Sequence, residues 1–405
     1  MPANALPPLR LKKNEDRRLR GGHLWIYSNE VDTDKTPLKN LSPGELIRIE
    51  DSHGHVLGNG YVNPHSLICA RLISRDPAYL LDQSLITHRL NIALSHRESV
   101  FDKPFYRLVH GEGDNLPGLV VDRFNHVLVV QITTAGMEQQ KDAIVASLLK
   151  TLKPDTIVLR NDSSARSYEG LENYVETAHG NISGPIAVEE NYTHFMTDVL
   201  SGQKTGWFFD HRMNRARMRQ YAKDKRVLDV FSYIGGWGLQ ALTAGASDLT
   251  CIDASGAAIE RIHQNAELNT YNDQPIHNKL TTIEGDAFEA LKSLRQAREH
   301  FDVVIVDPPA FIKRKKDAKE GLNAYRRINQ MAMQVLNKGG YLVSASCSYH
   351  LGHEQLRDTI LKASRHVDRQ AQIVEQGHQG PDHPIHPAIP ETDYLKAFIV
   401  RLLMN

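Results

Sequence analysis

The pattern of apolar and polar positions changes near residue 190 of this 405-residue chain. Up to about residue 80, short alternating runs such as ELIRIEDSHGHVLGNGYVN and LICARLIS stand between turn-forming residues. Such runs are typical of a small all-β domain, which we predict for residues 1–80. Apolar side chains then recur at helical spacing over 78–100, and a hairpin around Asn125, an amphipathic helix (MEQQKDAIVASLLKTL) and a strand follow. We therefore predict an α+β domain over residues 81–190.

From about residue 191 onward, strand-like and helix-like runs alternate. Strands are predicted over RVLDVFSY, DLTCIDAS, HFDVVIVDPPAF and GYLVSASCS, and each is followed by a run of helical periodicity. This alternation indicates a parallel, doubly wound α/β sheet over residues 191–405. Two final runs, RQAQIVEQG and YLKAFIVRLLMN, are joined by a proline-rich segment that leaves little room for a helix. They predict an antiparallel hairpin at the edge of that sheet.

Composition adds the cellular setting. Hydrophobic residues make up 41% of the chain and charged residues 24%, as in ordinary globular proteins. The sequence has no apolar run of about 18 residues, and its N-terminus lacks the apolar core of a signal peptide. Its three cysteines are widely spaced, which argues against a disulfide framework. We therefore expect a cytoplasmic protein without a membrane partner; the oligomeric state stays open, with a homodimer as one option.

Charge is balanced over the whole chain but not locally. Because 48 basic residues face 48 acidic ones, any nucleic-acid contact must come from local patches. Two basic runs qualify, RLKKNEDRRLR (10–20) and KRKKDAK (313–319), although a solvated face explains such runs equally simply. The candidate phosphate-binding residues are Lys12, Lys13, Arg17, Arg18, Lys313, Arg314, Lys315 and Lys316.

Polar residues stand where the predicted parallel strands end, which is the edge at which doubly wound sheets bind ligands. The first strand runs into LDVFSYIGGWG, whose glycines let the backbone approach a ligand but do not form a GxGxxG motif. Asp253 ends the second strand about 20 residues later, where an acidic residue typically binds a ribose diol. Asp286 and Ala287, in IEGDAF, could support an adenine edge. Together these features favour an adenosine-type ligand.

Two further strand ends carry candidate chemistry. Asp307 begins the rigid Asp-Pro-Pro of VIVDPPAF, and Cys347 stands among serines in SASCSYHLG. An acidic turn residue and a buried structural cysteine are the simpler explanations. The polar surroundings of Cys347 and its position past a strand favour a nucleophile instead.

These residues together resemble class I S-adenosylmethionine-dependent methyltransferases, and more narrowly the 23S ribosomal RNA cytosine-C5 methyltransferases of the large-subunit methyltransferase I type. The resemblance covers nearly the whole chain and is carried by SGQKTGWFFDHRMNR (201–215), VLDVFSYIGGWG, VDPPAFIKRKKDAKEGLNAYRRIN and SCSYHL. It implies an N-terminal PUA RNA-binding domain, a central α+β domain and a C-terminal Rossmann-like methyltransferase domain. It also implies S-adenosylmethionine as the cofactor and 23S ribosomal RNA, or a precursor of the large subunit, as the partner.

The resemblance assigns roles to individual residues. Cys347 and Asp307 would be catalytic. The residues implied in cofactor binding are Asp229, Phe231, Tyr233, Gly235, Asp253, Ser255, Asp286, Ala287 and Asp307 on the strand ends, and Gln203, Lys204, Thr205, Phe208, Asp210 and Arg212 in the preceding segment. Many RNA cytosine-C5 methyltransferases carry a second cysteine after the Asp-containing strand, and this chain has Ala310 there.

Cytosine C5 is a poor nucleophile, and a thiolate that adds to C6 makes it reactive. Methylation of an exocyclic amine needs no thiol, so Cys347 separates this chemistry from an rRNA N-methyltransferase suggested by Asp-Pro-Pro. An NAD-dependent oxidoreductase and a non-catalytic RNA-binding protein are further alternatives. The histidine-rich HQGPDHPIHP contains prolines that disfavour a convergent ligand set, so no metal site is predicted.

Overall fold

The computed structural model describes residues 6–404. The chain forms two compact units. The first comprises the chain up to Ile186 with Asp198–Trp207 and Pro381–Thr392, and the second comprises Ala187–Thr197, Phe208–Gly380 and the chain from Asp393 onward. The predicted domain ranges 1–80 and 191–405 include residues 1–5 and 405, which lie outside the described residues. The domain boundaries near residues 80 and 190 stay predictions.

The first unit begins with a five-stranded sheet in the order β1-β3-β4-β5-β2, where alternating runs are predicted. Leu9, Ile47 and Ile49 point into its core, as the period of two requires. Ile389, from the proline-rich segment near the C-terminus, joins the same core. The elements are β1 (Pro8–Arg10), α1 (Arg17–Arg20), β2 (Trp25–Tyr27), β3 (Leu46–Glu50), β4 (Val56–Val62) and β5 (Ile68–Ser74).

A second five-stranded sheet completes this unit, with the strand order β10-β9-β8-β7-β6. The hairpin predicted around Asn125 is confirmed, because β7 and β8 are antiparallel and Asn125 has φ 56° in the turn between them. Helix α2 starts later than residue 78 because the Asp82 side chain caps it, accepting the Leu85 N–H at 2.9 Å. The elements are α2 (Gln83–Val100), β6 (Phe105–His110), β7 (Leu119–Phe124), β8 (Val127–Ile132), α3 (Ala135–Gln139), α4 (Lys141–Leu152), β9 (Thr156–Asn161) and β10 (Tyr174–His179).

The second unit is built on a seven-stranded sheet, and the predicted doubly wound α/β fold is confirmed. Its order is β17-β14-β13-β18-β19-β21-β20, of which the first five are parallel. Two-stranded ribbons, β11 with β12 and β15 with β16, accompany it. The strands are β11 (Ile186–Glu190), β12 (Thr193–Thr197), β13 (Arg226–Val230), β14 (Asp248–Asp253), β15 (Thr270–Tyr271), β16 (Gln274–Pro275), β17 (Leu280–Glu284), β18 (Phe301–Val306), β19 (Leu336–Ser346), β20 (Arg369–Gly377) and β21 (Lys396–Met404).

Helices cover this sheet, and its central strands are buried on both faces, as their apolar runs indicate. The predicted edge hairpin is confirmed: β21 pairs antiparallel with β19 on one side and with β20 on the other. The helices are α5 (Arg212–Arg219), α6 (Gly238–Thr243), α7 (Gly256–Glu267), α8 (Ala287–Gln296), α9 (Ala318–Gln334) and α10 (His353–His366).

Short 3₁₀ helices connect several of these elements, at Ser28–Glu30, Leu38–Asn40, Gly111–Asp114, Ser164–Glu169, Phe209–His211, Ile276–Lys279, Lys315–Asp317 and Pro390–Thr392. Within residues 6–404, no helix combines the length and the apolar character that a membrane crossing requires.

Candidate active site

Five parallel strands end at one edge of the seven-stranded sheet, and the predicted strand-end residues gather there. Asp253 ends β14, Asp307 directly follows β18, and Cys347 directly follows β19. Strands β18 and β19 are neighbours, with Val306 opposite Ser344. The predicted carboxylate and the predicted nucleophile are therefore carried by adjacent strand ends.

The turn between β13 and α6 has an unusual backbone. Phe231 and Tyr233 have φ values of 65° and 49°, and Gly235 has φ 88°. Such a conformation costs a non-glycine residue about 1–3 kcal/mol and is common where a backbone is shaped for a ligand. The N–H groups of Phe231 and Ser232 both donate to the Ile252 carbonyl, each at 3.0 Å, which holds this turn against β14.

Asp229 lies beneath this turn and is fully buried. Its Oδ2 accepts the Gly238 N–H at 2.8 Å, whereas its buried Oδ1 has no hydrogen-bond partner among residues 6–404. A side chain at Gly238 would place its Cβ 3.0 Å from Asp229 Oδ2, so glycine allows this close approach. Burial raises the pKa of Asp229 to about 7. A buried carboxylate oxygen without a partner is suited to a cationic ligand group.

Asp253 is held in place by two backbone groups. Its Oδ2 accepts the Tyr233 N–H at 2.8 Å and its Oδ1 accepts the Ser255 N–H at 2.9 Å. Ser255 in turn caps helix α7. Each carboxylate oxygen of Asp253 keeps a further lone pair for a ligand hydroxyl.

Asp286 lies at the end of the edge strand β17 and caps α8, accepting the Phe288 and Glu289 N–H groups at 2.9 and 3.1 Å. Ala287 begins that helix and is buried. A surface cavity of about 380 Å³ beside them is lined by Gly285 and Asp286 but by none of Asp229, Asp253 and Cys347.

Asp307 is anchored by two buried side chains. Its Oδ2 accepts the Trp237 Nε1–H at 3.0 Å, and its Oδ1 lies 3.3 Å from His211 Nε2. Burial opposes ionisation of Asp307, but the His211 charge and these hydrogen bonds outweigh burial and hold its pKa below the usual range. Asp307 is therefore ionised at neutral pH.

Cys347 is half-buried, whereas Cys69 and Cys251 are fully buried. The residues on either side of it form a hydroxyl network with Tyr325 of α9. The Ser346 hydroxyl donates to the Tyr325 hydroxyl at 2.9 Å, and the Tyr325 and Ser348 hydroxyls are 2.8 Å apart. This network fixes the backbone that carries the thiol.

The segment 201–215, which the resemblance implies in cofactor binding, is divided between the two units. Gln203, Lys204 and Thr205 belong to the first unit, where the Thr205 hydroxyl donates to Asp122 Oδ2 at 2.6 Å. In the second unit, Phe208 packs edge-on against Tyr233, with 5.6 Å between ring centroids.

Asp210 and Arg212 lie on the second-unit part of this segment and have protein partners. Asp210 accepts the Tyr394 hydroxyl at 2.8 Å. Arg212 lies 3.5 Å from the buried carboxylate of Glu190, which Arg215 also contacts. These contacts give both residues a role in the fold.

The two basic runs lie on the surface. Lys12, Lys13, Arg17 and Arg18 in the first unit, and Lys313, Arg314, Lys315 and Lys316 in the second, are all exposed. Arg18 pairs with Glu30 at 2.7 Å and Arg314 pairs with Asp317 at 3.0 Å, so part of this charge is compensated.

Comparison with known proteins identifies the family. A PUA-like domain profile matches residues 9–75, and an S-adenosylmethionine-dependent methyltransferase profile matches residues 106–401. Proteins named ribosomal RNA large subunit methyltransferase I are similar to the chain throughout. The protein of Escherichia coli O127:H6 is 35% identical over 402 residues, which cover 97% of this chain and 98% of the relative. The chain belongs to this methyltransferase family.

Other relatives and solved structures agree with the family fold. The ribosomal RNA large subunit methyltransferase I of Cronobacter sakazakii is also 35% identical over 402 residues, covering 97% of this chain and 98% of the relative. A methyltransferase-fold protein solved with SAH superposes with a TM-score of 0.82 at 18% identity, covering 98% of this chain and 100% of that chain. A Streptococcus mutans protein described as SAM-dependent reaches 0.81 at 19% identity, with the same coverage. The structural matches show the shared fold.

As a member of this family, the methyltransferase takes S-adenosylmethionine as its methyl donor. The residues at the strand ends fit that molecule. The unsatisfied oxygen of Asp229 suits its ammonium group, and Asp253 suits the ribose diol. The turn that contains Phe231 and Tyr233 follows the strand of Asp229 and reaches Asp253, whose Oδ2 accepts the Tyr233 N–H at 2.8 Å.

Sequence reasoning missed several side chains of this site. His211 and Trp237 hold Asp307, while Tyr325 and Lys396 hold the segment around Cys347. A signal was present for two of them: His211 lies between the predicted Asp210 and Arg212, and Trp237 lies within the glycine-rich motif.

Proposed function

We propose that the protein methylates C5 of a cytosine in large-subunit ribosomal RNA, with Cys347 as a transient covalent nucleophile. The substrate class is supported by the relatives named ribosomal RNA large subunit methyltransferase I, which match 97% of the chain. The chemistry is supported by one observation: a half-buried thiol lies at the carboxyl end of β19, beside the strand that presents an ionised Asp307.

Bound S-adenosylmethionine supplies an electrophilic methyl group. The Cys347 sulfur adds to C6 of the cytosine and forms an S–C6 bond, which makes C5 nucleophilic. Once C5 carries the methyl group, its proton passes to water, the C–H electron pair restores the C5–C6 double bond, and the S–C6 bond breaks so that Cys347 leaves as a thiolate. Cys347 thus divides one difficult substitution into easier steps.

Asp307 orients the base in this scheme. As an ionised carboxylate it accepts hydrogen bonds only, so it binds the N4 amino group of cytosine. Trp237 and His211 fix its direction. Phe311, which follows the Asp-Pro-Pro segment, packs on Tyr325 with 4.9 Å between ring centroids. It therefore has a packing role, which weakens the alternative of an N-methyltransferase whose aromatic residue contacts an exocyclic amine.

The methyl donor would be held across the strand ends. Asp229, Tyr233 and Gly235, with Phe231, would line its amino-acid part, Asp253 and Ser255 its ribose, and Asp286 with Ala287 its adenine. Asp253 and Cys347 stand three strand intervals apart, about 14 Å, which suits an extended ligand. Phe208, Asp210 and Arg212 of the second unit also belong to the proposed set, and the cofactor role implied for Gln203, Lys204 and Thr205 of the first unit stays a prediction.

The RNA would contact the basic runs. Lys313, Arg314, Lys315 and Lys316 follow Asp307 directly and lie at the same edge as the active site. Lys12, Lys13, Arg17 and Arg18 would give the PUA-like domain its phosphate contacts. The target base must leave its stack to reach Asp307 and Cys347.

The test is nucleoside analysis of unmethylated large-subunit RNA after incubation with enzyme and labelled donor. The wild-type protein should yield labelled 5-methylcytidine, and Cys347→Ala should lose about a thousandfold or more of this activity while it still binds S-adenosylmethionine. Cys69→Ala, at a buried thiol of the first unit, is the matched control and should stay active.

Two results would contradict the proposal. One is a Cys347→Ala variant that retains methylation. The other is a labelled N-methylated nucleoside in place of 5-methylcytidine. RNA containing 5-fluorocytidine gives an independent measurement. Fluorine replaces the proton that C5 must lose before the enzyme is released, so the adduct should persist on a peptide containing Cys347.

A further inference from the structure

Lys396 lies against the segment that carries Cys347. It begins β21, where it pairs in register with Ser346 of β19. Its Nζ donates to the Ser348 carbonyl at 2.6 Å and to the Tyr394 carbonyl at 2.7 Å. The side-chain ammonium is thus fixed at Ser348, the residue after Cys347, while the Lys396 backbone is in register with Ser346, the residue before it.

This lysine is an exception in the fold. It is 2% exposed, and it is the only buried lysine within residues 6–404. A buried ammonium is costly unless an anion is nearby, and the two carbonyls that Lys396 contacts are dipoles without net charge. Its position therefore calls for a negative partner.

The titratable groups that face Lys396 narrow the choice of that partner. Burial lowers the pKa of Lys396 to about 8, and the charges of Cys347 and Asp393 oppose this effect. Asp393 is exposed, so water screens it. Burial raises the pKa of Tyr325 and lowers that of His353, so both are neutral at pH 7. Of the two groups within residues 6–404 whose negative charge acts on Lys396, Cys347 is the half-buried one and can carry the balancing charge.

We infer that the Lys396 ammonium holds the Cys347 side chain as a thiolate and so prepares the nucleophile. The thiol proton leaves to solvent, and no covalent bond to Lys396 forms or breaks. A free cysteine is only a few per cent thiolate at pH 7, so a paired cation raises the reactive fraction. This inference rests on the proposed function of Cys347, through which Lys396 acts as a positioning residue.

The test measures the thiol without RNA or methyl donor. The full-length protein is treated with iodoacetamide from pH 5 to 10, and alkylation of the peptide containing Cys347 is followed by mass spectrometry. The wild-type midpoint should lie below the value of about 8.5 for free cysteine. Lys396→Met and Lys396→Gln should raise the midpoint by about one unit or more, whereas Lys396→Arg keeps it low. Lys362→Met, at an exposed lysine of α10, is the matched control.

Methylation gives a second measurement. Lys396→Met should lose about tenfold in kcat at pH 7, and higher pH should restore the rate because the thiolate then forms without the cation. A merely structural role would not produce recovery with pH. The KM for S-adenosylmethionine should not change.

Three outcomes would overturn the inference. The first is an alkylation midpoint for wild-type Cys347 at or above that of free cysteine. This outcome can be measured without any variant. The second is an unchanged midpoint in folded Lys396→Met, judged by Cys69 and Cys251 remaining unreactive. The third is a Lys396→Gln variant whose alkylation midpoint equals that of the wild type. That result would show that hydrogen bonds to the carbonyls, and not the positive charge, produce the effect. A Cys347→Ala variant that methylates RNA at the wild-type rate would instead contradict the proposed function.

Discussion

Asp229 and Asp307 show how single residues of one site are held in different protonation states. Asp229 is fully buried, and burial raises its pKa to about 7 although the charge of Arg215 opposes this effect. Asp307 is also desolvated, but His211 and Trp237 outweigh burial and keep its pKa low. Asp229 is thus suited to a positively charged ligand group, whereas Asp307 stays ionised at neutral pH and can accept a hydrogen bond.

If Asp229 binds the ammonium group of the cofactor, as proposed, cofactor binding should depend on pH. Between its unfolded pKa of 3.8 and its folded value of about 7, the native protein holds a proton that the unfolded chain releases, so this group's contribution to stability falls as pH rises through that window. A cationic ligand needs the ionised form. The affinity for S-adenosylmethionine should therefore weaken below pH 7, by up to about tenfold per pH unit.

Calorimetry at pH 6, 7 and 8 tests this expectation. Asp229→Asn should bind weakly at all three values and lose the pH dependence. The control Asp273→Asn changes an exposed turn residue and should behave as the wild type. A wild-type affinity independent of pH would show that Asp229 does not face the ammonium group.

At the scale of elements, the connection from β18 to α9 begins with an anchored aspartate and continues into a run of basic residues. Asp307 is anchored, and exposed lysines follow within ten residues of it. Lys313, Lys315 and Lys316 together changed to Ala should weaken RNA binding and reduce the slope of log affinity against log salt by about 2–3. Arg314 is left unchanged because it pairs with Asp317.

The control for this prediction lies at the opposite end of the same sheet. Lys223, Lys225 and Lys338 are exposed near the amino ends of β13 and β19. Their replacement by Ala removes the same charge, and the salt slope measured by filter binding should stay closer to the wild type. Equal losses in both triple variants would indicate a general charge effect.

The C-terminal hairpin lies beside the strand that leads into Cys347. Because β21 enters between β19 and β20, its first residue, Lys396, reaches the strand end that carries Cys347. If the inference about Lys396 is correct, this hairpin supplies a residue that acts on the nucleophile as well as a sheet edge.

At the scale of the whole molecule, the chain forms two units that each contain their own core, and we propose that they divide RNA binding and methyl transfer between them. The PUA-like match and its basic run fall in the first unit, and the strand-end carboxylates fall in the second. A Lys12→Ala, Lys13→Ala double variant should therefore bind RNA more weakly, with a salt slope reduced by about 1–2, and bind S-adenosylmethionine as the wild type does.

The matched control is Lys103→Ala with Lys150→Ala, at two exposed lysines of the same unit. Binding to both ligands should be near the wild-type level in this pair. A loss of cofactor affinity in the Lys12 and Lys13 variant would contradict the division of tasks.

The sequence by itself determined the alternation of strands and helices in the methyltransferase unit, the parallel sheet with its edge hairpin and the candidate residues at the strand ends. This was possible because hydrophobic periodicity is local and because parallel strands necessarily end at one edge. Asp253, Asp307 and Cys347 could be selected because they stand at such strand ends and because the serines around Cys347 are polar, and the family resemblance supplied their roles.

Only the tertiary structure decided which side chains support them. Trp237 donates a hydrogen bond to Asp307, 70 residues away in sequence, and Lys396 donates one to Ser348, 48 residues away. A periodic sequence pattern does not predict such pairs. Folding likewise divided 201–215 between the units and placed Ile389 in the first sheet's core. The local sequence pattern specifies the secondary structure. The protonation states and orientations of the site's side chains depend on groups that are distant in sequence and that together exclude water from the site.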